Sequence, residues 1–334
     1  SLALHWQENF CRALKYCRLK GEGLNYYLLL NFINSPIFFN AAKEFKKMGV
    51  NVYTRHIKTG DEGAWWSSAV GKSIPDAKKR NIAREIIEDA HKEGCKIIVY
   101  HRHMEDKYMA EENPDWVCVN WKGKRLSSSR GYYMCFNSPY ADYFKKRLLE
   151  LVDMGADGFY LDELHMPKTG CWCKYCKEKF KNETGLNHPK NVNHKDLIWH
   201  KLVDFNNRTI ERTLQKWRDA VHSKNIEVVL LISGYMWPAM TERHLTNRLF
   251  RIADSMKTEF SLPLRVPQNA IFTIDDTMSP FEKDIKLALG YCMSRDAADG
   301  RPAHIWVHGI ANEVSSLYAT AGVLTHGCIA NLDI

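Results

Sequence analysis

The chain has 334 residues, 45% hydrophobic and 26% charged, with a formal net charge of +8. Its longest apolar run, YYLLLNFI at 26–33, falls well short of the about 20 residues that span a bilayer, so no membrane partner is expected. The basic residues are interleaved with acids along helical faces such as AKKRNIARE (77–85), which reads as a solvated surface and argues against nucleic-acid binding.

Residues 1–24 open as SLALHWQENFCRALKYC and read as an amphipathic N-terminal helix or cap rather than a signal peptide. From residue 25, short β-rich runs alternate with amphipathic helices. NYYLLLNFI (25–33) is the first strand, and FNAAKEFKKMG (39–49) is a helix closed by glycine. VNVYTRH (50–56) is the second strand, followed by a helix over 76–94 and a third strand, KIIVYHRH (96–103). SPYADYFKKRLLELVDMG (138–155) is a helix opened by Ser-Pro, and DGFYLDE (157–163) is the fourth strand. After a long insertion come a helix at 196–223 and the fifth strand, IEVVLLISG (226–234). A helix at 241–250 leads to the sixth strand, DSMKTEF (254–260), with NAIFTIDD (269–276) as an extra strand or loop in that unit. A helix at 280–295, the seventh strand AHIWVHG (303–309), a helix at 312–327 and an eighth strand CIANLDI (328–334) complete the series. Eight β/α units in one run predict a (β/α)₈ TIM barrel over residues 25–334. No G-x-G-x-x-G loop follows any strand, which disfavours a dinucleotide-binding open sheet. Homo-oligomerisation and further domains beyond residue 334 stay open.

Three of the ten cysteines, Cys171, Cys173 and Cys176, fall inside GCWCKYCKEKF (170–180). Thiolates suit zinc in tetrahedral sets of four, and C-x-C-x-x-C supplies only three. Cys135, Cys118 and His165 are the candidates for the fourth position. Several of the other cysteines sit in apolar stretches and are expected to pack as small hydrophobes. Together they point to a reducing compartment, hence a cytoplasmic location.

Catalytic groups of such barrels sit at strand C-terminal ends. The fourth strand ends Phe159-Tyr160-Leu161-Asp162-Glu163. Alternation sends Phe159 and Leu161 under the helices and Tyr160 and Asp162 into the barrel, with Glu163 at the turn. The sixth strand ends with Glu259 at the rim. A pair of rim carboxylates is what glycosidic cleavage needs: one protonates the leaving oxygen, the other attacks or activates water. Trp65 and Trp66 follow the second strand, and His101 and His103 end the third. His56, Lys58, Tyr235, Trp237, Trp306 and His308 also lie near strand ends. Their clustering predicts a polar and aromatic sugar pocket. His101 and His103 with Asp106 form an alternative, catalytic metal set.

The stretch from YYMCFNSPY through CKEKF (132–180) resembles β-galactosidases with a cysteine cluster and a related group of barrel glycosidases. That resemblance implies a structural zinc on Cys135, Cys171, Cys173 and Cys176, stapling the long loop after strand four and leaving no open position for catalysis. NFINSP, HIKTGDEGAWW, ENPDWVCVNWKGK, CFNSPY and DGFYLDE, in this order, resemble barrel glycosidases related to α-L-fucosidases. This implies a nucleophile at Asp162, and similarity to α-galactosidase-like barrels implies an acid at Glu259. The β-galactosidase resemblance instead places an acid/base at Glu163 and a nucleophilic Glu at the end of strand seven, where this chain has His308. The fucosidase His-His after a lysine is here Thr59-Gly60 after Lys58, a departure that bears on the sugar. The expected function is a glycoside hydrolase acting on a carbohydrate, retaining, with an Asp nucleophile and no catalytic cofactor. A non-catalytic carbohydrate-binding or scaffold barrel and an N-glycosidase of a nucleotide-type substrate are the alternatives.

Overall fold

The structure, a computed structural model, describes residues 41–47, 50–58, 63–128, 130–234, 244, 246–261, 272–273, 278–308 and 313–332. The expected cap (1–24) and first strand lie outside them, as do Thr59, Gly60, Tyr235 and Trp237. The expected second to eighth strands are all present as one parallel sheet. They are β1 (Val52–Lys58), β2 (Lys96–His101), β5 (Gly158–Leu161), β6 (Val229–Gly234), β7 (Ser255–Ser261), β9 (Ala303–His308) and β10 (Ile329–Leu332). Each pairs with the next, so the described sheet is a curled arc with β1 and β10 at its ends. The extra segment at 269–276 contributes β8 (Phe272–Thr273), a short strand beside β7. A small antiparallel hairpin, β3 (Ser127–Ser128) with β4 (Gly131–Tyr132), stands between β2 and β5 in sequence.

The connecting helices are α1 (Ala41–Lys47), α2 (Ile82–Lys92), α3 (Lys107–Glu112), α4 (Tyr140–Asp153), α5 (Lys174–Thr184), α6 (Leu197–Lys224), α7 (Arg248–Ile252), α8 (Pro280–Ala297) and α9 (Glu313–Thr325). Their starts follow local chemistry. Asn81, Asp106 and Asp196 accept hydrogen bonds from the first free amides of α2, α3 and α6, and Ser279 with Glu282 forms a reciprocal capping box on α8. Each cap stabilises its helix by about 1 kcal/mol. Among the described residues, no helix is long and apolar enough to cross a membrane.

Strand alternation sorts the core into two compartments. Phe159, Leu161, Ile97, Val99, Leu230 and Ile232 face the helices in the main core. Tyr160, Ile98, Tyr100 and Leu231 form a separate inner cluster. On α4, Tyr140, Phe144, Leu148 and Leu151 recur at helical spacing and are buried, each such side chain contributing about 1.5–3 kcal/mol. Gly158 opens β5 because a Cβ there would lie 2.6 Å from the Val229 side chain and 2.9 Å from its carbonyl oxygen. That close approach of β5 and β6 fixes Asp162 beside Ser233.

The N-terminal ends of the strands carry their own carboxylates. Asp157 accepts from Lys96 Nζ (2.7 Å) and from the Ile97 amide (3.0 Å), and lies 2.7 Å from His91 Nε2. Asp254 accepts from Arg218 Nε (2.9 Å) and the Leu230 amide (2.9 Å). Each ties the strand preceding its own to the rest of the sheet.

Candidate active site

The C-terminal end of β5 carries a polar network centred on Asp162. Asp162 follows Leu161 with its carboxylate on the inner face. Tyr100 OH donates to Oδ2 (2.9 Å), Tyr160 OH donates to Oδ1 (3.1 Å), and Ser233 Oγ also donates to Oδ1. Two relays end on this carboxylate. Arg102 Nη1 donates to Tyr100 OH (3.0 Å), and the Glu163 amide donates to Ser233 Oγ (3.0 Å). Burial alone would favour the neutral acid. The hydrogen bonds from Ser233, Tyr100 and Tyr160 with the Arg102 charge outweigh it, and Asp162 sits below its ordinary pKa. Burial, and next the Asp162 charge, drive the Tyr100 phenol far up, so it stays a donor.

Glu163 takes a different environment. Its backbone has φ +56°, a left-handed conformation that costs a non-glycine residue about 1 kcal/mol or more. The turn aims its carboxylate at Arg102 Nη2 (3.1 Å) and Arg130 Nη1 (3.4 Å). Arg102 also donates through Nε to Glu105 (3.1 Å), a buried carboxylate that accepts from Ser128 Oγ of the hairpin (2.8 Å). Arg102 therefore ties the strand end, Glu163 and the hairpin together.

Glu259 lies on β7 two residues after Lys257. Phe260 turns outward onto Tyr291 of α8 (ring centroids 5.0 Å apart), so Glu259 and Lys257 share the inner face. Glu259 is half-buried and pairs in register with Trp306 of β9. Lys257 is buried, its ammonium 4.4 Å from the Tyr160 ring centre and 3.8 Å from that of Trp306. His56 lies against Tyr100 in a tilted arrangement, with ring centroids 4.0 Å apart. Lys58 and His308 end β1 and β9, with side chains outside the described part of the structure.

His101, His103, Trp65 and Trp66 are not brought to this face. His101 continues the outward series of Ile97 and Val99, and its ring lies 4.7 Å from Phe144 and 5.8 Å from Trp66. His103 is buried against Phe136, Phe144 and Trp217, and burial pulls it down to about 3. Trp66 is buried, donates to Glu150 Oε2 (2.7 Å) and lies under Arg147. Trp65 is likewise buried. These four side chains belong to the layer between sheet and helices, and the sugar-lining role expected of them has no support in this placement. Asp106 caps α3, and among the described residues the group able to hold a metal is a cysteine one. Tyr100, Arg102, Ser233 and Lys257 were missed in the sequence. Alternation would have found the first two, because Tyr100 shares parity with Arg102, whereas His101 and His103 fall on the other.

The cysteines converge beside the mouth. Cys135 follows the hairpin, Cys171 and Cys173 lie in the loop after β5, and Cys176 is in the first turn of α5. All four are buried and unbridged, with their sulfurs within 4.8 Å of one another. Cys135 Sγ lies 3.4 Å from Cys176 Sγ and 3.5 Å from Cys173 Sγ. A tetrahedral zinc with bonds of about 2.3 Å sets sulfurs about 3.8 Å apart, so the donor set and spacing fit such an ion. Asn137 Nδ2 donates to Cys176 Sγ (3.3 Å), and the Trp172 amide donates to Val119 O (2.8 Å) across the same junction.

Comparison with known proteins agrees with this fold. The chain is similar to α-L-fucosidase isoenzyme 2 from Paenibacillus thiaminolyticus, with 19% identity, a TM-score of 0.63, and 88% of this chain and 42% of that one covered. It is similar to the β-galactosidase of the Antarctic haloarchaeon Halorubrum lacusprofundi, with 13% identity, a TM-score of 0.64, and 89% and 50% covered. A third neighbour is the β-galactosidase from Bacillus circulans sp. alkalophilus, with 15% identity, a TM-score of 0.60, and 87% and 47% covered. The chain thus spans half or less of the length of each. No curated protein matches it. Over residues 39–163, from α1 to the Asp162-Glu163 turn, the chain matches the family described as "Hypothetical glycosyl hydrolase 6".

Proposed function

We propose that this protein is a retaining glycoside hydrolase in which Asp162 is the nucleophile and Glu259 the general acid/base. The observation that carries the reading is the Asp162 carboxylate, at a strand C-terminal end, held ionised by three hydroxyl donors. Hydroxyls stabilise the anion without pairing it directly with a cation, so it keeps charge to give to an anomeric carbon. In the first step, Asp162 forms a bond to that carbon as the glycosidic C–O bond breaks, and Glu259 gives its proton to the departing oxygen. In the second, Glu259 takes a proton from water, which attacks the same carbon and releases Asp162.

Glu163 is assigned to substrate positioning. Its contacts to Arg102 and Arg130 hold its carboxylate at the rim, where its oxygens accept hydrogen bonds from sugar hydroxyls. His56, Tyr160 and Trp306 line the inner face as polar and aromatic contacts for a carbohydrate, with Lys257 beneath them. Lys58, Trp237 and His308 are carried as proposed contacts from their places near strand ends. We assign a structural zinc to Cys135, Cys171, Cys173 and Cys176, clamping the hairpin with Ser128 and Arg130 to the loop after β5. Four thiolates saturate the ion, so it holds shape and takes no part in bond breaking.

The test is hydrolysis of a panel of aryl α- and β-glycosides by the wild type and by Asp162→Asn. Turnover of one sugar with retention, abolished in a folded Asp162→Asn, is the expected result. No turnover of any member, or turnover indifferent to Asp162, would overturn the assignment.

A further inference from the structure

Two neighbouring helices are apolar on the side turned away from the sheet, where a surface helix ordinarily carries charge. α8 packs on the sheet through Leu287, Gly290 and Tyr291, with Tyr291 against Phe260 of β7. A Cβ on Gly290 would lie 2.3 Å from the Phe260 ring, so the approach is close. Ile285 and Leu289 each stand two residues before an inward neighbour, and two residues turn about 200°, to the opposite side of the helix. They are 50% and 55% exposed, and Phe281 and Met293 extend the row at four-residue steps, 73% and 38% exposed. α9 repeats the pattern. Ala319 and Val323 are buried, while Leu317 and Leu324 share the outward side, 64% and 57% exposed. After Glu313, α9 contains no charged residue. The Tyr318 hydroxyl donates to the Asp284 carboxylate of α8, so the two outward rows adjoin. With Tyr318, these side chains expose about 700 Å². That is above the about 300–600 Å² of the largest apolar patch on a typical monomer, and close to the about 800 Å² that each partner gives to a stable interface.

We propose that this face is a self-association surface, with a second copy of the chain as its occupant. The area is that of a stable dimer interface, and the α8 row is self-complementary. It is a ridge of side chains at i, i+4 spacing, centred on position 287. Set antiparallel about a two-fold axis through that centre, Ile285 meets Leu289 of the second copy and Phe281 meets its Met293. Exchanging the copies gives the same contacts, as a closed two-fold interface requires. α9 then adds Leu317, Tyr318 and Leu324 at the flank of the contact. The charged residues of α8 are of both signs, with Glu282, Asp284 and Asp296 against Lys283, Lys286 and Arg295. A helix face that docks on an anionic lipid surface carries an excess of basic residues instead.

The experiment is sedimentation velocity of the full chain over about 0.5–50 µM. The samples are the wild type, Ile285→Lys, Leu289→Glu and an equimolar mixture of the two variants. The wild type is expected to be a dimer at the upper end of that range. Each variant alone would bury two unpaired charges at the two-fold contact, so each is expected to associate about a hundredfold or more weakly and to run as a monomer. In the mixture, the new lysine of one copy faces the new glutamate of the other, and a dimer of one copy of each is expected to return. Both positions are exposed, so thermal melting of the variants should match that of the wild-type monomer. A wild type that is monomeric throughout overturns the proposal, and pelleting of that monomer with phosphatidylglycerol vesicles would give the face to a lipid surface. A dimer that survives both substitutions also overturns it, because its contact lies elsewhere. Two folded monomeric variants that fail to combine in the mixture overturn the antiparallel pairing, and with it the self-complementarity that names a second copy.

Discussion

Asp157 and Asp162 stand at opposite ends of β5, and their surroundings differ in kind. Asp157 is met directly by Lys96 and His91 and by the Ile97 amide, and Asp254 repeats the pattern two strands on with Arg218, His222 and the Leu230 amide. Those carboxylates are neutralised by cations and joined to a neighbouring strand. Among the described residues, the hydrogen bonds to Asp162 come from hydroxyls, and Arg102 is linked to it through Tyr100. A direct ion pair spends an anion on holding strands together. A shell of hydroxyl donors keeps the anion charged without an ion pair. Glu163, bonded to two guanidinium groups, resembles Asp157 more than Asp162.

That contrast can be broken from either end. Asp162→Asn is expected to lower kcat by about 10⁴-fold or more with the melting temperature nearly unchanged, since the lost group acts on the reacting carbon. Kinetics and thermal melting of the same sample check both halves. Glu259→Gln is expected to cost about 10²–10⁴-fold on substrates with poor leaving groups. On aryl glycosides whose phenolate leaves unaided, the first step should be spared, and a flat dependence on leaving group would contradict the acid role. Ser233→Ala removes one donor to the Asp162 anion and is expected to lower kcat/KM by about tenfold, the worth of a hydrogen bond to a charged group. Losing a donor raises the Asp162 pKa, so the acid limb of the pH–rate profile should move to higher pH. An unmoved limb would separate Ser233 from Asp162.

At the opposite end, Asp157→Asn should leave kcat unaltered and reduce stability by about 1–3 kcal/mol. Burial opposes ionisation of Asp157 most strongly, but Lys96, the Ile97 amide and His91 together hold its pKa below the ordinary value. Its stabilisation is therefore full above the unfolded carboxyl pKa and is lost as pH falls through the lower folded value. The stability difference between the wild type and Asp157→Asn should be full at neutral pH and close as pH falls through the folded pKa of Asp157, with acid unfolding of the variant beginning at the higher pH. The smallest effect is expected for Trp66→Phe, which loses the Glu150 hydrogen bond in the layer between sheet and helices. A changed KM there would return Trp66 to the sugar pocket.

The fold was legible because regular alternation of strand and helix leaves few options for how the strands can pair. Expected strands from the second to the eighth match observed ones to within a few residues, and the helix at 280–295 begins on its capping box. Asp162, Tyr160 and the inward parity of Glu259 were legible from alternation alone. The four cysteines were legible only because a resemblance named Cys135, since spacing left Cys118 and His165 open. The histidines and tryptophans misled for a physical reason. Both faces of a barrel strand are buried, so polarity near a strand end does not say which compartment receives the side chain. His101 and His103 are polar yet packed among Phe136, Phe144 and Trp217, while aromatic Tyr100 reaches the carboxylate. Lys257 hid for the converse reason. A lysine in a strand reads as solvent-facing, and only the approach of its ammonium to the Trp306 and Tyr160 rings shows its place on the inner face.

The most direct test of the central claim is covalent trapping. A 2-deoxy-2-fluoro aryl glycoside of whichever sugar the panel identifies would be incubated with the wild type, and the labelled peptide located by mass spectrometry. The account predicts stoichiometric label on Asp162, absent in Asp162→Asn. Label on Glu163 or Glu259, or active enzyme that turns over without any trapped intermediate and with inversion, would contradict it.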